Sequence, residues 1–179
     1  MSDMLEKEIV KAGAFKLGDF TLASGRKSDY YVDLRAVTTD PGLLKKVAKA
    51  MSRHIDDCQK IAGVELGAVP IAAALSLETG IPFIMVRKQR KGHGTGNLIE
   101  GKLVPGERVL FVEDTVTTAG SLVRAINAVR EHGGIVEKAI VIVDREEGAE
   151  NTLAGLGVEL ISIASISNLR ELADDYQDK

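Results

Sequence analysis

The sequence predicts an α/β fold: a doubly wound, mostly parallel sheet flanked by helices, with a small subdomain appended at the N-terminus. Three observations predict it. Beyond residue 57, short apolar runs alternate with segments of helical periodicity, the order of a parallel sheet built from βαβ units. Those short runs are apolar at nearly every position, as strands become when helices cover both faces. Residues 1–35 break the alternation, so they read as a small subdomain within a single domain spanning 1–179.

The elements follow in order. Leu5, Ile9 and Val10 give residues 3–12 the spacing of a short amphipathic helix. Residues 20–22 and 30–34 read as short strands around the turn residues Ser24 and Gly25. Asp40 and Pro41 form a helix start, Asp as N-cap and Pro at the first helical position. The stripe Leu43, Leu44, Val47, Met51 and Ile55 carries that helix through residue 57. Strands are expected at 61–64, 83–86, 109–112, 139–143 and 158–163, and helices at 71–78 and 119–132. Gly133 is a natural stop for the second of these helices. A short helix fits between the last two strands, and a Gly-rich segment, 92–101, leads to the Pro105-Gly106 turn.

Composition narrows the function classes. Hydrophobic residues make up 45% and charged residues 27%, and the net charge is −3. No global field draws such a chain onto nucleic acid or an anionic membrane, so any anion site must come from a local cluster of cations. No apolar run approaches the roughly 20 residues of a membrane helix. The acidic N-terminus lacks the layout of a signal peptide, and a cytoplasmic address is expected. A single cysteine, Cys58, excludes an intramolecular disulfide and a cysteine metal cluster. It reads as a small residue near a helix end, and His54 and His132 read as surface residues on helices.

Polar residues recur immediately after the expected strands: Glu65 after the first, Arg87 and Lys88 after the second, Glu113 and Asp114 after the third, Asp144 and Arg145 after the fourth. The carboxyl ends of parallel strands share one edge, where open α/β sheets bind ligands. One such coincidence would mean only a solvated loop; four point to a site.

The strongest motif is 109–121. Four apolar residues deliver Glu113 and Asp114 to a loop of hydroxyls and small residues where a helix begins. Backbone N–H groups at a helix N-terminus bind anions. Thr115, Thr117, Thr118 and Ser121 add hydroxyls, while Val116, Ala119 and Gly120 complete the loop and let the backbone close on a phosphate. Carboxylates do not suit phosphate; they suit ribose hydroxyls, or Mg²⁺ held through water. The whole describes a cradle for ribose 5-phosphate. It is not a P-loop, since no Gly-Lys-Ser/Thr is present. A helix merely capped by Thr117 or Thr118 would account for the threonines and not for the acidic pair.

This segment resembles the signature with which type I phosphoribosyltransferases bind 5-phosphoribosyl-1-pyrophosphate (PRPP), with Ala119 where many members carry Gly. A second segment, 87–96, holds Arg87, Lys88, Arg90, Lys91 and His93 followed by glycines. It is similar to the catalytic loop of orotate phosphoribosyltransferases, whose pattern matches Arg87, Lys88, Lys91 and His93 and leaves Arg90 without a role. The third segment, 20–33, resembles the stretch that marks the orotate branch, with Tyr30 and Tyr31 as candidates to cover the base. An ordinary strand with one tyrosine facing inward is the plain alternative. Two lysines common in bacterial relatives, at the position of Ala23 and near Gly67, are absent. In the family the arginine at Arg145 contacts orotate, and a guanidinium suits a carboxylate edge; a salt bridge to Glu146 or Glu147 is the plainer reading.

The resemblance spans nearly the whole chain and implies the type I phosphoribosyltransferase fold, with residues 1–35 as a base-binding hood. It implies conversion of orotate and PRPP to orotidine 5′-monophosphate and pyrophosphate, in UMP biosynthesis. Mg²⁺ would be carried by PRPP, reaching Glu113 and Asp114 through water. PRPP would meet Arg87, Lys88, Lys91, His93 and the loop from Glu113 to Ser121, and orotate would meet Thr117, Arg145, Tyr30 and Tyr31. Lys88, His93 and Asp114 are the catalytic candidates. A homodimer with a shared active site is implied, with Lys88 reaching the neighbouring subunit, and neither nucleic acid nor membrane as partner. A purine phosphoribosyltransferase would share 109–121 but not 20–33 or 87–93. A PRPP-sensing regulator would need a nucleic-acid surface, for which about 19 leading residues are too few. Fusion to the following decarboxylase is excluded by length, a barrel alone needing roughly 250 residues.

Overall fold

Side chains alternate across each central strand, and that alternation builds two cores on the two faces of one sheet. Ile61, Leu110, Val112, Ile140 and Ile142 enter one core; Ala62, Phe111, Ala139 and Val141 enter the other. The computed structural model describes residues 2–21, 25, 27–88 and 98–177. In chain order the elements are α1 (Ser2–Lys11), β1 (Phe15–Thr21), β2 (Lys27–Val32), α2 (Arg35–Thr38), α3 (Pro41–Met51), a 3-10 turn (Ser52–His54) and β3 (Lys60–Val64). Then come α4 (Ala68–Thr79), β4 (Phe83–Val86), β5 (Ile99–Glu100), β6 (Arg108–Val116) and α5 (Gly120–Glu131). The chain ends with β7 (Ile135–Asp144), α6 (Ala149–Ala154), β8 (Glu159–Ser165) and α7 (Ile166–Gln177).

Six strands form the main sheet in the order β5-β4-β3-β6-β7-β8, all parallel except the two-residue β5. The first core takes Ile9 of α1, Met51 of α3, Leu75 of α4 and Leu169 of α7; the second takes Ile126 of α5 and Leu153 of α6. The sheet is therefore doubly wound, as the apolar strands predict. β1 and β2 make a separate antiparallel ribbon, yet Phe15 of β1 is buried in the first core.

Local chemistry explains the boundaries. Asp40 Oδ1 accepts the Leu43 N–H at 2.8 Å and Pro41 opens α3, as expected. That helix ends at Met51 rather than running to 57, and the chain tightens into the 3-10 turn. α4 begins at Ala68, three residues ahead of the expected start, because Pro70 is tolerated within a first helical turn. Gly133, at φ 84°, reverses the chain after α5 and accepts the Gly106 N–H at 2.8 Å. A Cβ there would stand 2.8 Å from Pro105, so a glycine is required where the two turns meet. Unforeseen are α2, β5 and α7.

Candidate active site

The chain runs outward from β3 to β4, then returns to the other side of β3 for β6. Strand order reverses between β3 and β6, and the crevice beyond their carboxyl ends is where such sheets bind ligands. β6 outruns β3 there. Their pairing ends at Gly63 and Val112, while β6 stays paired with β7 as far as Val116 and Asp144. Glu113 and Asp114 thus lie within the strand, not in a loop after it; main-chain pairing with β7 prevails over their polarity.

Neighbours in a strand face opposite sides. Glu113 is 9% exposed and lines the pocket under the start of α5. Burial pushes its carboxyl up to about 8, the adjacent negative charge of Asp114 adds to the shift, and the charge of Lys88 opposes it. Asp114 emerges toward the 65–67 loop, where a Cβ on Gly67 would stand 2.2 Å from its Oδ2. Glycine at 67 makes room for this carboxylate. Asp114 Oδ1 also accepts the Thr115 N–H at 2.6 Å.

The loop from β6 into α5 forms as its residue types require. Ala119 adopts the left-handed conformation, φ 63°, and turns the chain from β6 into α5. For an L-residue this costs about 1–2 kcal/mol. Burial of its methyl group, worth roughly 0.8 kcal/mol, offsets part of that. No side chain caps α5, so Thr117 and Thr118 do not cap the helix, and its first N–H groups point toward the loop without a side-chain acceptor. Thr115, Thr117, Thr118, Gly120 and Ser121 line a pocket of about 330 Å³, with Arg124 on its wall. Arg124, one turn into α5, carries no motif by which the sequence marks it.

The cationic segment is only partly in view: Lys91 and His93 lie outside the described residues. Arg87 does not stand free for a phosphate. Its Nε donates to Glu100 Oε1 at 2.9 Å and its Nη1 lies 3.7 Å from Glu65 Oε2. Lys88 is exposed, and its backbone N–H donates to Glu65 Oε1 at 2.8 Å.

At the N-terminal ribbon the fold brings Tyr30 and Arg145 together from distant parts of the chain. Arg145 Nε and Nη2 donate to Tyr30 Oη at 3.1 and 2.9 Å, and Nη2 also lies 3.1 Å from Glu147 Oε1. The salt bridge and the site geometry therefore coexist. Tyr31 faces the other side of the ribbon and packs on Phe20 at 5.5 Å, so only one of the two tyrosines reaches the cleft. Phe15 stacks on Tyr30 at 5.8 Å, and the Arg170 guanidinium lies 4.8 Å from the Tyr30 ring centre while donating to both Asp29 oxygens. Lys27, Tyr30 and Arg145 line a cleft of about 620 Å³. Lys27 belongs to the 20–33 segment but carries no motif of its own, and Arg170 reaches Tyr30 from α7, far along the chain.

Among the described residues no three His, Cys, Asp or Glu side chains are grouped to hold a metal ion. Glu113 and Asp114 lie on opposite faces of β6 and form no resident cage, so a Mg²⁺ at this crevice would arrive with its own phosphate and water ligands, as this ion commonly does. His54 is exposed on the 3-10 turn, and His132, at the end of α5, places Nδ1 2.7 Å from the Ala128 carbonyl.

Residues 33–163 match the phosphoribosyl transferase domain family. The orotate phosphoribosyltransferase of Thermoplasma volcanium is 50% identical over 167 residues, covering 93% of this chain and 99% of its own. That of Pyrococcus abyssi is 47% identical over 182 residues, covering 99% and 100%. The chain belongs to the orotate phosphoribosyltransferase family. Among solved structures, the orotate phosphoribosyltransferase of Aeropyrum pernix superposes with a TM-score of 0.85 at 38% identity, covering 94% of this chain and 97% of that one. The Mycobacterium tuberculosis orotate phosphoribosyltransferase in complex with PRPP gives 0.79 at 33% identity, with 95% and 99% covered. An adenine phosphoribosyltransferase from Leishmania tarentolae shares the fold at 17% identity, so fold alone does not choose the base.

Proposed function

We propose that this chain is an orotate phosphoribosyltransferase, joining orotate to the ribose of PRPP and releasing pyrophosphate in UMP biosynthesis. The observation that carries the substrate choice is the Arg145–Tyr30 pair, which sets a guanidinium on the wall of a cleft while the Arg145 N–H donates to the Val116 carbonyl at the end of β6. A guanidinium pairs with a carboxylate edge, which orotate has and a purine lacks.

In this reading the 5-phosphate sits on the free N–H groups of α5 and the hydroxyls of Thr117, Thr118 and Ser121. Asp114, and Glu113 from the opposite face of β6, hold the ribose hydroxyls. Arg145 orients orotate, with Thr117 and the ring of Tyr30 beside it, so that N1 faces the anomeric carbon. The bond from C1′ to orotate N1 forms, and the N1 proton passes to solvent or to the departing diphosphate, as the bond from C1′ to the diphosphate oxygen breaks, with positive charge building on the ribose as in related glycosyl transfers. Lys88, Lys91 and His93 neutralise the departing diphosphate; losing one well-placed donor at such a site costs about 3–4 kcal/mol of barrier. Bound with PRPP, Mg²⁺ supplies further charge neutralisation at the diphosphate. Residues 1–35 act as the hood over the base, with Tyr30 facing it and Tyr31 turned away onto Phe20.

The working unit in this reading is a cytoplasmic homodimer. α4 supports the dimer: the helix is apolar all round from Ala68 to Leu75, with Ile71 and Leu75 buried, and Leu77 beyond them is 89% exposed. Leu66, just before α4, is 80% exposed. A helix apolar on every side belongs in an interior. A second copy seated on this outer face would lie beside the 65–67 loop and Asp114, at the mouth of the site. The deciding assay supplies PRPP and Mg²⁺ with orotate, adenine, guanine or hypoxanthine. Orotate should be consumed and the purines used poorly; comparable kcat/KM for a purine would overturn the orotate reading.

A further inference from the structure

We propose that the first turn of α7 positions the orotate end of the site, with Arg170 as the positioning residue that sets Tyr30 and, through it, Arg145. The inference rests on the reading of Arg145 as the orotate contact and deepens it. α7 lies outside every motif of the site, yet its first residues reach distant parts of the chain. Ser167 donates its N–H to Glu146 Oε2 at 3.0 Å, and its hydroxyl donates to the same oxygen. Asn168 Nδ2 donates at 3.1 Å to Oε1 of Glu6, a buried acid on α1. Arg170 Nη1 and Nη2 donate to the two oxygens of Asp29 in β2 at 2.8 and 2.6 Å. One helical turn thus ties together the segment after β7, the N-terminal helix and the N-terminal ribbon.

Both sides of the Tyr30–Arg145 contact are held in this way. Glu146, next to Arg145, has φ 56°, a left-handed conformation that an L-residue keeps only where its surroundings hold it. Its N–H donates to Asp144 Oδ1 at 2.8 Å, and Ser167 holds its carboxylate. On the other side the Arg170 guanidinium, fixed by Asp29, lies 4.8 Å from the Tyr30 ring centre, and Phe15 stacks on that ring at 5.8 Å. The ring is thereby set so that its Oη accepts from Arg145 Nε and Nη2. Net attraction does not account for Arg170. The Arg145 and Arg170 guanidinium groups, 5.2 and 4.8 Å from one ring centre, repel each other. An ion pair as exposed as Asp29–Arg170 also adds little stability. What a planar fork on a carboxylate supplies is geometry, and small displacements are expensive near a reacting group.

The test compares Arg170→Ala, Arg170→Lys and Tyr30→Phe, and Arg170→Ala combined with Tyr30→Phe. None of these removes a group placed against PRPP, so turnover stays measurable. Arg170→Ala should raise the orotate KM as far as Tyr30→Phe does, a few-fold, with the PRPP KM within about twofold of the parent and Tm nearly unchanged. Arg170→Lys should recover only part of that loss, since an ammonium lacks the fork that grips Asp29. In the combined variant the orotate KM should be no higher than in either single variant, because the contact through which Arg170 acts is already gone. Independent of turnover, the Arg145 Nε–H resonance should lose its protection from exchange in Arg170→Ala, as it does in Tyr30→Phe. Full additivity, a rise in both KM values together, or an unchanged Arg145 Nε–H overturns the proposal. A parent protein that ignores orotate while Arg170→Ala exposes the Arg145 Nε–H would overturn the assigned reaction and uphold the contact.

Discussion

Arg145 serves two partners at once, Tyr30 Oη and Glu147 Oε1, and the division between them is measurable. Arg145→Ala should raise the orotate KM roughly 10- to 100-fold, since charge-assisted hydrogen bonds are worth about 1.5–3 kcal/mol, and leave the PRPP KM near its parent value. Tyr30→Phe keeps the ring against Phe15 and Arg170 and loses only the hydroxyl, so its effect on orotate should be a few-fold, about 1 kcal/mol. An Arg145→Ala enzyme with unaltered orotate kinetics and a lowered Tm would assign the arginine to Glu147 alone. Glu113 offers a test through pH. Its carboxyl titrates near 8 in the fold and at about 4.3 in an unfolded chain, so between those values the folded state holds a proton that the unfolded state has lost. Stability therefore falls as pH rises from about 4.5 to 8, at up to about 1.4 kcal/mol per pH unit. Glu113→Gln removes that slope. In thermal melts without substrate the variant should match the parent at pH 5 and melt several degrees higher at pH 9; parallel curves at both pH values would refute the buried acid. The motif 109–121 was legible as chemistry at this scale. The opposite facing of Glu113 and Asp114 was not, because two polar residues after an apolar run look like a loop until β7 is seen to pair with them.

Elements with strong local signals were legible: the Asp40-Pro41 start of α3, the exact span of β4, and the glycine stop after α5. Those without such signals were not. β5 is two residues long and exists through its pairing with Met85 and Val86, a contact no sequence window contains. α7 is a different failure, since Ile166, Leu169 and Ala173 are buried at helical spacing and the pattern was there to be read. Its omission hid Arg170, which lies over Tyr30. For α4, the sequence predicted a helix but not an unburied outer face, because a helix apolar on all sides looks the same from sequence whether or not its protomer covers it. Leu77→Asp tests that face. In sedimentation or light scattering the variant should shift from dimer to monomer at concentrations where the parent is dimeric, with the helix content of the parent. A parent and variant of equal mass would show that α4 faces solvent.

At the scale of the whole molecule, the crevice is assembled by topology: β3 and β6 part, the 65–67 loop and Asp114 meet across the gap, and Lys88 stands at the neighbouring strand end. The alternation of strands and helices made this sheet legible, whereas the meeting of Tyr30 with Arg145 depended on how the N-terminal ribbon docks. Whether one chain completes the crevice is decided by exchanging subunits. Within its own chain the Lys88 charge already acts on Glu113, and a copy docked on α4 would bring a second Lys88 toward the same opening. Lys88→Ala and Asp114→Ala, each inactive alone, are unfolded and refolded together. If Lys88 works across the interface, a mixed dimer has one site with both lesions and one with neither. Random pairing makes about half the dimers mixed, so about a quarter of all sites should be intact, by the symmetry of a two-fold assembly. Recovery near that fraction is the expected result. If mixed dimers are verified by mass and activity stays absent, Lys88 belongs to the site of its own chain, and the dimer must be justified by the apolar face of α4 alone.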